Sequence, residues 1–214
     1  MPGRREQVFM LVIAVAAVVI LGISPHDRGD WAVELIAPAL MIVACVVGHR
    51  WIVLTRLAYW LILAHVLIQL WGGHFTYGRE PLFEWIRDHW GLSRNHYDRL
   101  AHFALGFLLF VPVRELIVRG ARPGRRWSSF FSLSVIGAIA GLWEVFEWLV
   151  VAVNPGLTES YLGLQGDVWD PQKDIVLAFI GALIAWPLFV FWHERQLRGP
   201  IREGAQSEDD PAPV

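Results

Sequence analysis

With 214 residues, 55% of them hydrophobic, and a mean hydropathy of +0.44, the chain is richer in apolar residues than a soluble domain, where about 45–50% is usual. A net charge of −2 carries no basic excess of the kind nucleic-acid binding requires. The single cysteine, Cys45, sits in an apolar run, which excludes an internal disulfide and a thiolate metal site.

The apolar residues are concentrated. Val8 to Ile23, Leu35 to Gly48, Trp127 to Trp143 and Ile175 to Trp192 carry no charge at all. Runs of ~18–20 such residues match the hydrocarbon thickness of a bilayer. The pattern predicts an all-α polytopic membrane protein with six spans, at about 7–24, 31–48, 52–71, 100–118, 128–153 and 175–193. These form a single transmembrane domain over 1–202, followed by an acidic, proline-bearing tail (203–214) expected to be disordered and cytoplasmic.

The first span follows Arg4 and Arg5, as a secretion signal would. No small-x-small cleavage site follows it (Ile23-Ser24-Pro25-His26), so it reads as a retained helix. The second is the weakest, with Glu34 near its start and Pro38 in its first turns. The third, LAYWLILAHVLIQLWGGHFTYG, places His65 and Gln69 on one face, which reads as interhelical hydrogen-bond glue. Gly72-Gly73, His74 and Tyr77 follow, the glycine pair offering a place for a break. PLFEWIRDHWG (81–91) predicts a short amphipathic surface helix, with Phe83, Ile86 and Trp90 on the apolar face and Glu84, Arg87 and Asp88 toward headgroups.

The fourth span opens with Tyr97, Asp98 and His102. Asp98 and His102, four residues apart, share a helical face, although Asp98 could also serve as a helix cap. Arg114 and Glu115 at its other end read as a local ion pair or lipid-facing anchor. The fifth span carries Glu144 and Glu147, three apart and again on one face. Two such carboxylates repel when both are ionised; a metal ion, protonated His102 or Arg99 would relieve this. Gln165, Asp167, Asp170 and Asp174 then lead into the sixth span, where Asp170-Pro171 reads as a cap followed by proline at the first helical position.

Twelve of the 18 Lys and Arg residues fall on one side if the N-terminus is inside, six on the other. This excess predicts cytoplasmic N- and C-termini. Under that topology His74, Asp98, His102, Glu144, Glu147 and Asp167 converge near the extracytoplasmic side. Ionisable groups at membrane depth normally face a bundle interior or a water-filled cavity and mark function. Carboxylates with imidazoles and no thiolate suit Zn, Mn or Fe. The expected metal ligands are therefore His74, His102, Glu144, Glu147 and Asp167, with Asp98, His102, Glu144, Glu147 and Asp167 as the catalytic set. Asp98 would orient His102.

RNHYDRLAHFALGF, VPVRE, GLWEVFEW and LGLQGDVWDPQKDIVLAFIGALIA, with GGHFTYG at 72–78, resemble the YjdF-like family of bacterial inner-membrane proteins. The resemblance runs from about His65 to Trp186. It implies a multi-pass inner-membrane protein surrounded by lipid, and a polar signature of His74, Tyr77, Asp98, His102, Arg114, Glu115, Glu144, Glu147, Gln165, Asp167, Asp170 and Asp174. It assigns no activity. A looser likeness to VanZ-like membrane proteins rests on the order of Asp98/His102-Phe103, Glu144/Glu147 and Asp170/Asp174 with Gly181-Ala182. Three readings stay open: a metal-dependent hydrolase acting on a lipid or envelope substrate, a proton- or cation-coupled transporter, and a structural or accessory protein.

Overall fold

The computed structural model describes residues 1–153 and 165–198; the expected tail at 203–214 lies outside them. Eight helices and no strand occur among the described residues: α1 (Arg4–Gly22), α2 (Arg28–Glu34), α3 (Ile36–Gly48), α4 (Arg56–His74), α5 (Pro81–Trp90), α6 (Tyr97–Gly120), α7 (Arg125–Val153) and α8 (Asp170–Arg198). Six helical segments are long and apolar enough to cross a membrane, α2 and α3 together forming the second. The interruption between those two has a local cause. Pro38 lacks an N–H, and its ring crowds the carbonyl four residues back, that of Glu34, where α2 ends.

α6 is the centre of the bundle, packed by α8, α4 and α7, while α1 and α3 pack on α4. The α6–α8 seam is a line of small residues: Gly106 lies against the Ala178 carbonyl, and Gly181 against that of Phe103. Without a hydrophobic driving force in lipid, close backbone approach of this kind is what holds two helices together. Between its two ends the core is apolar, formed by Leu105, Leu109, Phe110, Ile136, Ala140, Ala178 and Ala182. Gly72 and Gly73 do not break α4. Side chains there would strike the Tyr77 and Tyr97 rings and the Glu34 Cβ, so the pair gives those residues room.

α5 is capped at both ends. The Glu80 carboxylate accepts from Phe83 N–H (2.8 Å), and Gly91 closes the helix in the left-handed conformation. Phe83 and Ile86 are half-buried, Phe83 against Tyr97. Trp90 is exposed, and Leu82 and Trp85 are exposed with it.

At the end of the bundle opposite the Asp98 cluster, Arg114 and Glu115 do not pair with each other and do not face lipid. Neighbouring residues on a helix point to different faces, so the two do not meet, and both are buried against other helices. Glu115 accepts from Thr55 N–H (2.9 and 3.0 Å), Thr55 Oγ1 (2.7 Å), Arg119 Nε (2.8 Å) and His193 Nε2 (3.3 Å). Arg114 donates to His193 Nδ1 (3.1 Å) and Glu194 (2.9 Å). Since a guanidinium only donates, Nδ1 accepts and Nε2 carries the proton. Glu115 thus ties the start of α4 to the ends of α6 and α8. Glu115→Gln is expected to cost about 1–3 kcal/mol. Arg119→Ala, whose side chain is 28% exposed, is expected to cost under ~1 kcal/mol. Thermal unfolding of the two variants in detergent checks the order.

Candidate functional site

The other end of the bundle is assembled from α2, α4, α6, α7, α8 and the loops before α6 and α8. Asn95, fully buried, is the junction. Its backbone N–H donates to Gln165 Oε1 (2.8 Å), and its carbonyl accepts from Gln165 Nε2 (3.0 Å). Its side chain donates to the Glu80 carbonyl (3.0 Å) and accepts from Tyr97 N–H (3.0 Å). Arg94, also buried, makes a two-pronged pair with Asp170, one prong to Oδ1 and the other to Oδ2 at 2.8 Å. Arg99 bridges Asp167 (2.6 Å) and Asp170 (3.3 Å). Asp170 is therefore an ion-pair residue rather than a simple cap. Asp98 caps nothing either, since it is Asn95 that serves the start of α6.

These clamps fix the ends of α6 and α8 so that Asp98, His102 and Asp174 converge. One ligand atom from each lies within 4.8 Å of the others, and His102 and Asp174 are buried. Glu144 of α7 approaches His102 Nε2 at 3.3 Å, and Asp98 lies 3.7 Å from the same nitrogen. Among the described residues, His102 Nδ1 and Asp174 Oδ1 are buried without a hydrogen-bond partner. Such atoms are costly to leave unmatched. Ligands at about 2.0–2.2 Å from one ion lie up to about 4 Å apart, so small side-chain movements would bring all three onto a common cation. Glu147 is half-buried, within electrostatic reach of Glu144, Asp98 and Glu34.

Of the five expected ligands only His102 belongs to this group; Glu144 lies beside it, and His74 and Asp167 are placed elsewhere. His74 is held by the Leu21 carbonyl of α1 at its Nδ1 (2.7 Å) and packs edge-on against Phe75. Asp167 is taken by Arg99 and by Lys173 (2.5 Å) at the rim. The Lys173 hydrogen bond holds its carboxyl below the usual carboxylate range. Asp174, expected only as part of the polar signature, is the residue that joins Asp98 and His102. Its signal in the sequence is its place one turn inside α8 from Asp170, on the same face.

The sequence reading also missed Asp30 and Glu34. They are buried on α2 behind an Asp27 cap that accepts from Gly29 N–H (2.7 Å) and Asp30 N–H (2.9 Å). Their i, i+4 spacing was the available signal. The Tyr77 hydroxyl lies 3.4 Å from the Gln69 carbonyl, and burial, followed by the nearby Glu34 carboxylate, keeps its phenol well above the ordinary range. His65 and Gln69 are not glue: His65 Nδ1 and Gln69 Oε1 have no hydrogen-bond partner among the described residues.

His96, beside the clamp, has its pKa lowered from 6.5 by burial and then by Arg99 and Arg94. A folded state that resists a proton the unfolded chain accepts loses stability as pH falls below that unfolded value. The melting temperature is therefore expected to drop between pH 7.5 and 5.5, and His96→Gln to lessen the drop. Melting curves of parent and variant at the two pH values test this.

A family model described as "Predicted membrane protein (DUF2238)" matches residues 6–195. The inner membrane protein YjdF of Escherichia coli (strain K12) is 36% identical over 178 residues, covering 83% of this chain and 85% of that protein. No solved structure matches. The buried acids and imidazole thus stand within a fold that the family match covers almost end to end, and the chain belongs to the YjdF-like family of integral inner-membrane proteins.

Proposed function

We propose that the chain is a membrane-embedded, divalent-metal-dependent hydrolase acting on an ester or phosphoester of a membrane lipid. The observation that carries this reading is the convergence of Asp98, His102 and Asp174 within 4.8 Å. Their donor set suits Zn, Mn or Fe. A divalent cation held by Asp98, His102 and Asp174 would supply Lewis-acid polarisation of the scissile carbonyl or phosphoryl oxygen and a more acidic water. Glu144, 3.3 Å from His102, takes a proton from the attacking water. The water oxygen bonds the ester carbon, or the phosphorus of a phosphoester, the bond from that atom to the alcohol oxygen breaks, and Glu144 returns its proton to that alcohol. With the termini cytoplasmic, as the arginine distribution favours, the site faces the extracytoplasmic leaflet.

A conduit for protons or cations fits less well. The apolar core around Phe110 separates this cluster from the Glu115–His193 network, with about 18 Å of α6 between His102 and Arg114.

Turnover tests the reading. Purified protein in mixed phospholipid micelles should release fatty acid or phosphate. A chelator should stop this, and one of the three ions should restore it. Glu144→Gln should lower kcat by about 10²–10⁴-fold while leaving bound metal in place. Turnover unaffected by chelation, or by Glu144→Gln, would contradict it.

A further inference from the structure

A second feature opens beside this cluster. A cavity of about 700 Å³ runs between α3 and α7, floored by α4 and α6, with Leu40, Ala44, Leu109 and Ile139 among its apolar walls. α3 packs on α2 and α4, and α7 on α6 and α8, so the cavity opens sideways along faces that also carry exposed Leu40, Val43, Ile139 and Leu142. Four polar side chains interrupt the lining: His49 and Tyr59, which satisfy each other at 3.2 Å, and His65 and Gln69. His65 and Gln69 are 1% and 7% exposed, and His65 Nδ1 and Gln69 Oε1 have no partner among the described residues. Leu105, three residues along α6 from His102, lines the same cavity, so this part of the groove runs toward the Asp98–His102–Asp174 cluster.

We infer that this groove seats the acyl chain of a glycerolipid entering from the bilayer, and that His65 and Gln69 hydrogen-bond the polar linkage at its head. Three observations select that occupant. The α3 wall, 13 residues long, gives about 20 Å of apolar track, enough for an acyl chain spanning the ~15 Å of hydrocarbon in one leaflet. A 20-residue helix, about 30 Å long and 10–12 Å wide, fills on the order of 2,500 Å³, far more than the cavity offers. An apolar helix face would also leave Gln69 Oε1 and His65 Nδ1 unmatched. Gln69 Oε1 needs a donor, and His65 Nδ1 takes either kind of partner according to its tautomer. An acyl ester beside a free hydroxyl supplies one donor and one acceptor.

The groove as a lipid seat stands independently of metal; only the identification of this lipid as the substrate rests on the hydrolase reading. For that identification the linkage must reach His102, whose stretch of α6 the groove meets at Leu105.

The test uses the full chain reconstituted in vesicles of phosphatidylethanolamine and phosphatidylglycerol containing a monoacylglycerol with a photoactivatable group in mid-chain. Adducts are mapped by mass spectrometry on the parent, Gln69→Leu, Ala44→Trp and Asp174→Asn. Gln69→Leu replaces an unpaired buried amide with an apolar side chain, so the fold is retained. Labelling of Leu40, Ala44 or Ile139 is expected in the parent. It should fall about fivefold in Gln69→Leu, be lost in Ala44→Trp and persist in Asp174→Asn.

Adducts confined to outward residues such as Val12, Val19 and Trp148 would overturn the proposal. So would groove labelling indifferent to Gln69→Leu, or cross-links to a second copy in place of lipid. A labelled groove in a protein that binds no metal would uphold the lipid seat and remove the hydrolase; bound metal with an unlabelled groove would remove the seat alone.

Discussion

Gly106→Val is expected to prevent α6 and α8 from closing, leaving a chain that elutes as aggregate or melts far below the parent. A Cβ at Gly106 would run into the Ala178 carbonyl and the Ala182 amide, and one at Gly181 into the Phe103 carbonyl. Overpacking ordinarily costs about 1–3 kcal/mol because side chains can shift. Here the opposing atoms are backbone, so a whole helix must move, and the seam that positions Asp174 against Asp98 moves with it. Even Gly106→Ala should exceed that range. Gly120→Ala, with nothing within 4 Å of its would-be Cβ, is the control and should be close to neutral. Size-exclusion profiles and thermal unfolding in detergent decide it. An unchanged melting temperature for Gly106→Ala would mean that the two backbones do not meet there.

Arg94→Leu should be the most damaging change among the charged residues. The side chains of Arg94 and Asp170 are 3% and 2% exposed, and their pair joins the start of α6 to the start of α8. Removing one partner of a buried pair strands the other charge, at about 3–5 kcal/mol. For a chain of this size that corresponds to a fall in melting temperature of about 6–20 °C. Asp98, 3.9 Å from Arg94, loses a neighbouring positive charge as well. Adding Asp170→Leu should recover part of the loss, because a buried pair replaced by apolar groups is often tolerated. A single variant as stable as the parent would show that Arg99 alone holds Asp170.

Much of the architecture was legible in the sequence because spans are written in composition. Each of the six apolar segments holds a charge-free run, and all six lie within a few residues of the helices observed. The weakness of the second span also had a real basis, since Glu34 and Pro38 mark the α2–α3 interruption. The site was legible only to the level of its end of the bundle. Asp98, His102 and Glu144 come together, but which loop acids join them depends on pairing that spacing cannot express. Asp167 and Asp170 are drawn off by Arg99, Arg94 and Lys173, whereas Asp174, one turn deeper, remains for the cluster. Arg94 and Asn95 open the RNHYDRLAHFALGF motif, yet their roles exist only through partners about 70 residues away. His193 illustrates the same point at the other end, where its link to Glu115 spans 78 residues.

A cation held by Asp98, His102 and Asp174 is measured most directly as bound metal. Protein purified in detergent, supplemented with Zn, Mn and Fe and then freed of excess ion, should carry about one equivalent of one metal by inductively coupled plasma mass spectrometry, the stoichiometry of a single site with an open position. Asp174→Asn and His102→Ala, each checked for a folded elution profile, should lose it, while His74→Ala should keep it. A folded parent with no bound metal, or a folded Asp174→Asn with its metal intact, would contradict the account.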